Sequence, residues 1–257
     1  MKPKLRIFPD REALAFAGAH HFLSIGQAAI LHRGRFMVAF SGGTTPKLLF
    51  QRLRVTRMQD ALNWDLVHIF WGDERCVPPD DAESNYRMAR EALLDDLPIP
   101  AANIHRFLTE LPPEEAARQY EKELQASFGL PDTTRPPVFD LILLGMGSDG
   151  HTASLFPGTT ALDEQERWAA AVYVEKLDAW RVTLTLPVLN AARDVLFLVS
   201  GEAKAQVLQD VLAADEEVGK FPAQLVQPGS KRLYWFADCQ AAAQVLISRR
   251  PQVHWHV

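Results

Sequence analysis

The residues best placed to do chemistry lie in one short stretch, Gly145-Met146-Gly147-Ser148-Asp149-Gly150-His151. It follows an apolar run, Phe139 to Leu144, that is short for a helix and bounded by glycine. Such a run predicts a buried strand of a parallel sheet. Glycines crowded directly beyond a strand predict a tight turn where backbone approaches something closely. Asp149 and His151 sit inside that turn. In open α/β sheets ligands bind beyond the carboxyl ends of the strands. A histidine there is a candidate general base near neutral pH. The plainer reading is a strand-to-helix turn in which Asp149 caps the segment that follows.

Three more places carry candidate chemistry. Ser41-Gly42-Gly43-Thr44-Thr45-Pro46 follows a second apolar run, Arg35 to Phe40, and precedes the helical pattern KLLFQRL. A Gly-Gly turn at a helix start presents free backbone N–H groups to an anion, with the helix dipole assisting. It is neither a Walker motif nor G-x-G-x-x-G, and many such turns only begin helices. Gly72-Asp73-Glu74-Arg75 stands at the end of a third apolar run, Leu66 to Trp71; a solvated loop is the rival account, for Glu74 above all. Lys204 opens a helix after Ser200-Gly201, an end that does not favour cations.

The elements that must position these residues alternate along the chain. Leu5 to Phe8 predicts a strand, and Asp10 a cap for a helix running to about His32 with Leu14, Gly18, Phe22, Ile25 and Ala29 inward. Ser84 or Asn85 caps the next helix. Asn103 to Phe107 predicts a short strand. Pro112-Pro113-Glu114-Glu115 starts a helix with Ala117, Tyr120, Leu124 and Phe128 as its stripe. Ala169 to Val174, Arg181 to Leu186, Val195 to Val199 and Leu233 to Phe236 predict strands. Pro187 starts a short helix, and the last helix is expected from about Asp238 to Ile247. Repeated strand and helix, with several strands wholly apolar, predicts one α/β domain spanning 1–257 with a mostly parallel sheet.

Bulk properties exclude other classes. The chain has 257 residues, 47% of them hydrophobic, ample for a large core. Its 27 basic and 32 acidic residues are dispersed and give a net charge of −5, so nothing marks a nucleic-acid or membrane-surface partner. No run approaches ~20 apolar residues. Cys76 and Cys239 offer neither a disulfide framework nor metal-ligand spacing, and a reducing cytoplasmic setting is expected. His254-Trp255-His256 resembles a ligand pair only superficially; a frayed tail is the expectation.

In order, SGGTTPKLL, FWGDERCVPPDDAESNYRM, LLGMGSDGHTASLFPG, RVTLTLPVLNAA and SGEAKA resemble the 6-phosphogluconolactonases of the pentose phosphate pathway, over about residues 35–240. The related glucosamine-6-phosphate deaminases share the Ser-Gly-Gly turn, the Asp-Glu pair and the Gly-x-Asp-Gly-His turn. They follow the histidine with an I-A-F-N-E-P type sequence whose glutamate is catalytic; here that position is Phe156. Arg75 also fits the lactonase pattern rather than Asp-Glu-Tyr.

The resemblance implies a three-layer α/β/α sandwich with a Rossmann-like sheet, and hydrolysis of a sugar-phosphate lactone. That reaction needs neither a covalent nucleophile nor a metal, and no cofactor is expected. His151 would be the general base, with Asp149 or Asp73 orienting it or binding substrate hydroxyls. Ser41, Gly42, Gly43 and Thr44 would hold the phosphate, with Arg181 and Lys204 supplying charge. Arg75 would meet either the phosphate or a developing oxyanion. A non-catalytic sugar-phosphate-binding module on the same fold is the alternative of another class, disfavoured because Asp149 and His151 are both kept.

Overall fold

The computed structural model describes residues 4–213 and 221–248, so the His254–His256 tail lies outside the described residues. The strands are β1 (Lys4–Phe8), β2 (Phe36–Phe40), β3 (Val67–Trp71), β4 (Asp73–Arg75), β5 (Ile104–His105), β6 (Leu141–Leu144), β7 (Ala169–Val174), β8 (Ala179–Leu184), β9 (Val195–Val199) and β10 (Leu233–Asp238). The helices are α1 (Arg11–Arg33), α2 (Thr44–Leu53), α3 (Thr56–Gln59), α4 (Asn85–Ala92), α5 (Pro113–Phe128), α6 (Leu186–Ala191), α7 (Ala205–Leu212) and α8 (Ala243–Ser248).

Seven strands form one sheet in the order β1-β10-β9-β6-β2-β3-β5, parallel throughout. Its central strands β2, β6 and β9 are buried along their whole length, as their unbroken apolar sequences require. The chain leaves β2 toward β3 on one side and leaves β6 toward β9 on the other. The order therefore reverses between β2 and β6, and the loops beyond these two strands flank the crevice where α/β sheets bind ligands. Those loops are Ser41–Thr44 and Gly145–His151.

Helix α1 covers one face of the sheet. Asp10 caps it by accepting a hydrogen bond from Ala13 N at 2.8 Å, and Gly34 ends it in the left-handed conformation. Phe22 packs edge-on to Phe36 of β2, 5.1 Å between centroids. By length and composition α1 could also cross a membrane, yet Leu14, Gly18, Phe22 and Ala29 are spent on the core. The opposite face carries Phe70 and Phe139, with Phe128 of α5 against Phe139 at 4.9 Å.

Three features depart from expectation. The second sheet, β4-β8-β7, is small and antiparallel. Its first strand is Asp-Glu-Arg, whose charge hides the extended backbone from any hydrophobic pattern. Glu74 is not in a solvated loop. It is 2% exposed and accepts from the backbone N–H groups of Arg75, Asn85 and Tyr86 and from Ser84 Oγ, so its carboxylate closes the start of α4. Ser84, not Asn85, is the α4 cap, accepting from Arg87 N at 3.1 Å. The last helix begins at Ala243, because Asp238 still belongs to β10 and its carboxylate binds Gly201 N and Ala241 N.

Candidate active site

The β2 turn begins the site. Gly43 precedes α2 with φ 100°, a conformation that favours glycine, and no side chain caps this helix. Its first N–H groups therefore point outward without a side-chain acceptor, as an anion site requires. Gly42 admits no side chain at all: a Cβ there would stand 1.9 Å from Asn85 Oδ1. Asn85 is buried and donates to the Asp73 carbonyl at 3.0 Å, tying the turn to β4. Thr45 Oγ1 meets Ser200 Oγ at 2.7 Å, tying it to the loop after β9.

The β6 turn carries the titratable pair. Gly147 N donates to the His151 carbonyl at 2.8 Å, and Thr152 Oγ1 to the Gly145 carbonyl at 2.8 Å. A Cβ on Gly147 would fall 2.0 Å from His151 Nδ1, so only glycine lets the imidazole fold back over the turn. Asp149 Oδ1 lies 2.5 Å from that Nδ1 and also accepts from His151 N at 3.2 Å. The carboxylate thus accepts a hydrogen bond from Nδ1–H, which leaves the lone pair of the neutral ring on Nε2. The ring of Phe156 stacks on the imidazole, centroids 4.1 Å apart.

Burial pushes the His151 pKa below the usual histidine value, against the opposing pull of Asp149 and Asp73. Burial acts to raise the Asp149 pKa, but hydrogen bonds from Lys176 and His151 outweigh it and hold the carboxyl well below the usual carboxylate range. At neutral pH the pair is a carboxylate beside a neutral imidazole.

The β4 strand supplies the third wall. Asp73 is buried and accepts from Ser154 Oγ at 2.7 Å. Arg75 donates to the Glu83 carbonyl and pairs in register with Arg181 of β8. Burial lowers the Arg181 pKa, and the neighbouring Arg75 charge lowers it further. Burial likewise lowers the Lys204 pKa, with Asp149 opposing. Among the described residues no carboxylate is within ion-pair distance of Arg75, Arg181 or Lys204, although Asp149 is paired with both His151 and Lys176.

These walls enclose a cavity of about 280 Å³. Ser41, Gly42, Gly43, Thr44, Asp73, Arg75, His151 and Lys204 all line it. Asp149 and Arg181 line an adjoining cleft of about 300 Å³, which shares Asp73, Arg75 and His151 with the first. Arg181 is therefore not beside the β2 turn; it stands next to Arg75, which faces both spaces. Among the described residues no group of three or more His, Cys, Asp or Glu side chains could hold a metal ion. Sequence reasoning missed Asn85 as a wall, and Ser154, Ser200 and Lys176 altogether. Asn85 carried a signal in the Glu-Ser-Asn triplet. Lys176, in a polar turn, carried none.

The model of the family described as "Glucosamine-6-phosphate isomerases/6-phosphogluconolactonase" matches residues 9–235. A 6-phosphogluconolactonase of Synechocystis is 46% identical over 83% of this chain and 86% of its own length. One from Nostoc is 40% identical over 96% of this chain and 100% of its own. The structure of the 6-phosphogluconolactonase of Trypanosoma brucei superposes with a TM-score of 0.82 at 32% identity, covering 95% of this chain and 99% of that one.

Proposed function

The chain belongs to the glucosamine-6-phosphate isomerase/6-phosphogluconolactonase family, and we propose that it works there as a lactonase whose water is activated by His151 without a metal. Its reaction is the hydrolysis of 6-phosphogluconolactone to 6-phosphogluconate in the pentose phosphate pathway. The observation that carries the mechanism is the 2.5 Å contact between Asp149 and His151 Nδ1, which turns Nε2 into a base on the wall of a cavity.

The phosphate sits on the N–H groups and hydroxyls of Ser41, Gly42, Gly43 and Thr44, with Lys204 supplying charge in the same cavity. Holding that end fixes the lactone carbon against His151, so remote binding energy is used for orientation. Water attacks the carbonyl carbon while Nε2 takes its proton. The Asp149 carboxylate stabilises the imidazolium that forms. The carbonyl oxygen becomes an oxyanion, which Arg75 stabilises. Collapse of the tetrahedral species breaks the bond to the ring oxygen. The imidazolium returns its proton to that oxygen, and the open hydroxy acid leaves with His151 neutral again. The apolar Phe156 offers no carboxylate for the proton transfers of a deaminase.

The test is a coupled assay in which the lactone is generated in place with a chelator present. Rapid formation of 6-phosphogluconate above the spontaneous rate, unchanged by the chelator and without ammonia from glucosamine 6-phosphate, is expected. Ammonia release without lactone hydrolysis overturns the reading. Loss of hydrolysis on chelation overturns its metal-free step.

A further inference from the structure

Lys176 has no part in the mechanism above. It stands on the 3₁₀ turn Glu175–Leu177 between β7 and β8. That turn is fixed by Asp178, which adopts a left-handed conformation at φ 47° and accepts from Tyr173 Oη. From there the side chain crosses to the β6 turn. Its ammonium donates to Asp149 Oδ2 and lies 4.6 Å from the centroid of Phe156. Phe156 stacks on His151, and His151 is held by the other oxygen of Asp149. Lys176, Asp149, His151 and Phe156 therefore close a ring of contacts. A surface lysine is ordinarily solvated and loosely placed. This one grips the same carboxylate that orients the imidazole and covers the ring that packs on it.

We propose that Lys176 is a positioning residue: it anchors Asp149 on His151 Nδ1, and its charge offsets the carboxylate so that the imidazole stays an unprotonated base at neutral pH. The inference rests on the general-base reading of His151. A bare carboxylate in contact with an imidazole favours the imidazolium and makes a poorer base at neutral pH. Asp73 on β4 adds to that effect. Arg75 on β4, Arg181 on β8 and Lys204 before α7 oppose it from the cavity walls. Lys176 is the cation bonded to the carboxylate itself. Its charge works in the same direction as burial in disfavouring protonated His151.

Two variants of the full chain test this, K176M and K176R, with H151A to assign the His151 signal in NMR titrations. Lys176 is half exposed, so neither substitution opens the core. In K176M the His151 titration midpoint should rise by about half to one unit. The acid limb of kcat/KM should rise with it, kcat at neutral pH should fall about tenfold, and KM should change less than about threefold. K176R keeps the charge and should restore the wild-type limb. A midpoint that stays put in K176M overturns the inference, and leaves the general-base reading standing wherever H151A is inactive. A midpoint that moves while the kinetic limb does not supports the Lys176 linkage and overturns the general-base reading instead.

Discussion

Two histidine–carboxylate pairs of nearly equal length stand in this molecule. His151 Nδ1 lies 2.5 Å from Asp149, and His105 Nδ1 lies 2.6 Å from Glu123. Both imidazoles stack on a phenylalanine, Phe156 and Phe70 respectively. For both, burial lowers the pKa and the carboxylate opposes it. The difference lies at the second nitrogen. His105 Nε2 meets His68 Nδ1 at 3.1 Å, so both its nitrogens are engaged. Among the described residues nothing engages His151 Nε2, and the ring borders a cavity that also holds Lys204 and the β2 turn. A polar network that satisfies itself rigidifies a fold, whereas one left incomplete beside a cavity is completed by a ligand. The first pair lies by the edge strand β5, the second beyond β6 at the switch point of the sheet.

The sharpest way to break this comparison is to remove each imidazole in turn. His151→Ala should lower kcat by ~10²–10⁴-fold, the usual range for losing a positioned acid–base group. His105→Ala should leave kcat within about threefold but cost about 1–3 kcal/mol of stability, through lost hydrogen bonds and lost stacking. Steady-state kinetics and denaturant unfolding of both variants check the pair of outcomes. A folded, fully active H151A protein would erase the distinction.

A smaller effect should come from Lys204, which lines the same cavity as His151. Lys204 is partly desolvated, and among the described residues no carboxylate is within ion-pair distance of it. On the proposed reading it donates a charge-assisted hydrogen bond to the phosphate, worth about 1.5–3 kcal/mol. Lys204→Ala should therefore raise KM for the lactone by about tenfold or more, with kcat within about threefold. An unchanged KM would place the phosphate elsewhere, with the Arg75–Arg181 pair as the next candidate.

The same contrast decides what could be read from the sequence. His151 was legible because three glycines follow an apolar strand, a pattern local in sequence. The β2 turn was legible for the same reason, and so were the buried strands and the cap at Asp10. Contacts made across the fold were not. Asn85 read as one of two capping candidates, and nothing local said that its amide would hold the Asp73 carbonyl while filling the space beside Gly42. Lys176 falls between two predicted strands with no motif around it, and only the β7–β8 pairing brings it to a carboxylate 27 positions earlier. For Glu74 a solvated loop stood as the rival account, because charge argues for water until backbone N–H groups satisfy it. His105 gave no signal of its partnership, since Glu123 approaches it from a different element, α5.

The smallest expected effect separates the two pairs by pH. Burial, with His105 and Arg35 adding to it, pulls the His68 pKa down from the usual 6.5 to about 4. The His68–His105 contact needs one N–H and one lone pair, and the Nδ1–H of His105 already serves Glu123. The Nε2 of His105 therefore holds the lone pair and accepts from His68 Nδ1–H. In the unfolded protein His68 takes a proton as pH falls through ~6.5, while in the folded protein it resists until about pH 4. Between those values the unfolded state binds more protons, so stability is highest above ~6.5 and declines as pH falls toward 4. His68→Gln removes one such group. It should flatten the loss of stability across that window and leave the acid limb of kcat/KM where it is, because the proposed mechanism assigns that limb to His151. Unfolding midpoints and activity measured on the same samples check both halves. An activity limb that moves with H68Q would mean that the two histidine pairs are coupled through the sheet, and that the closed pair is not merely structural.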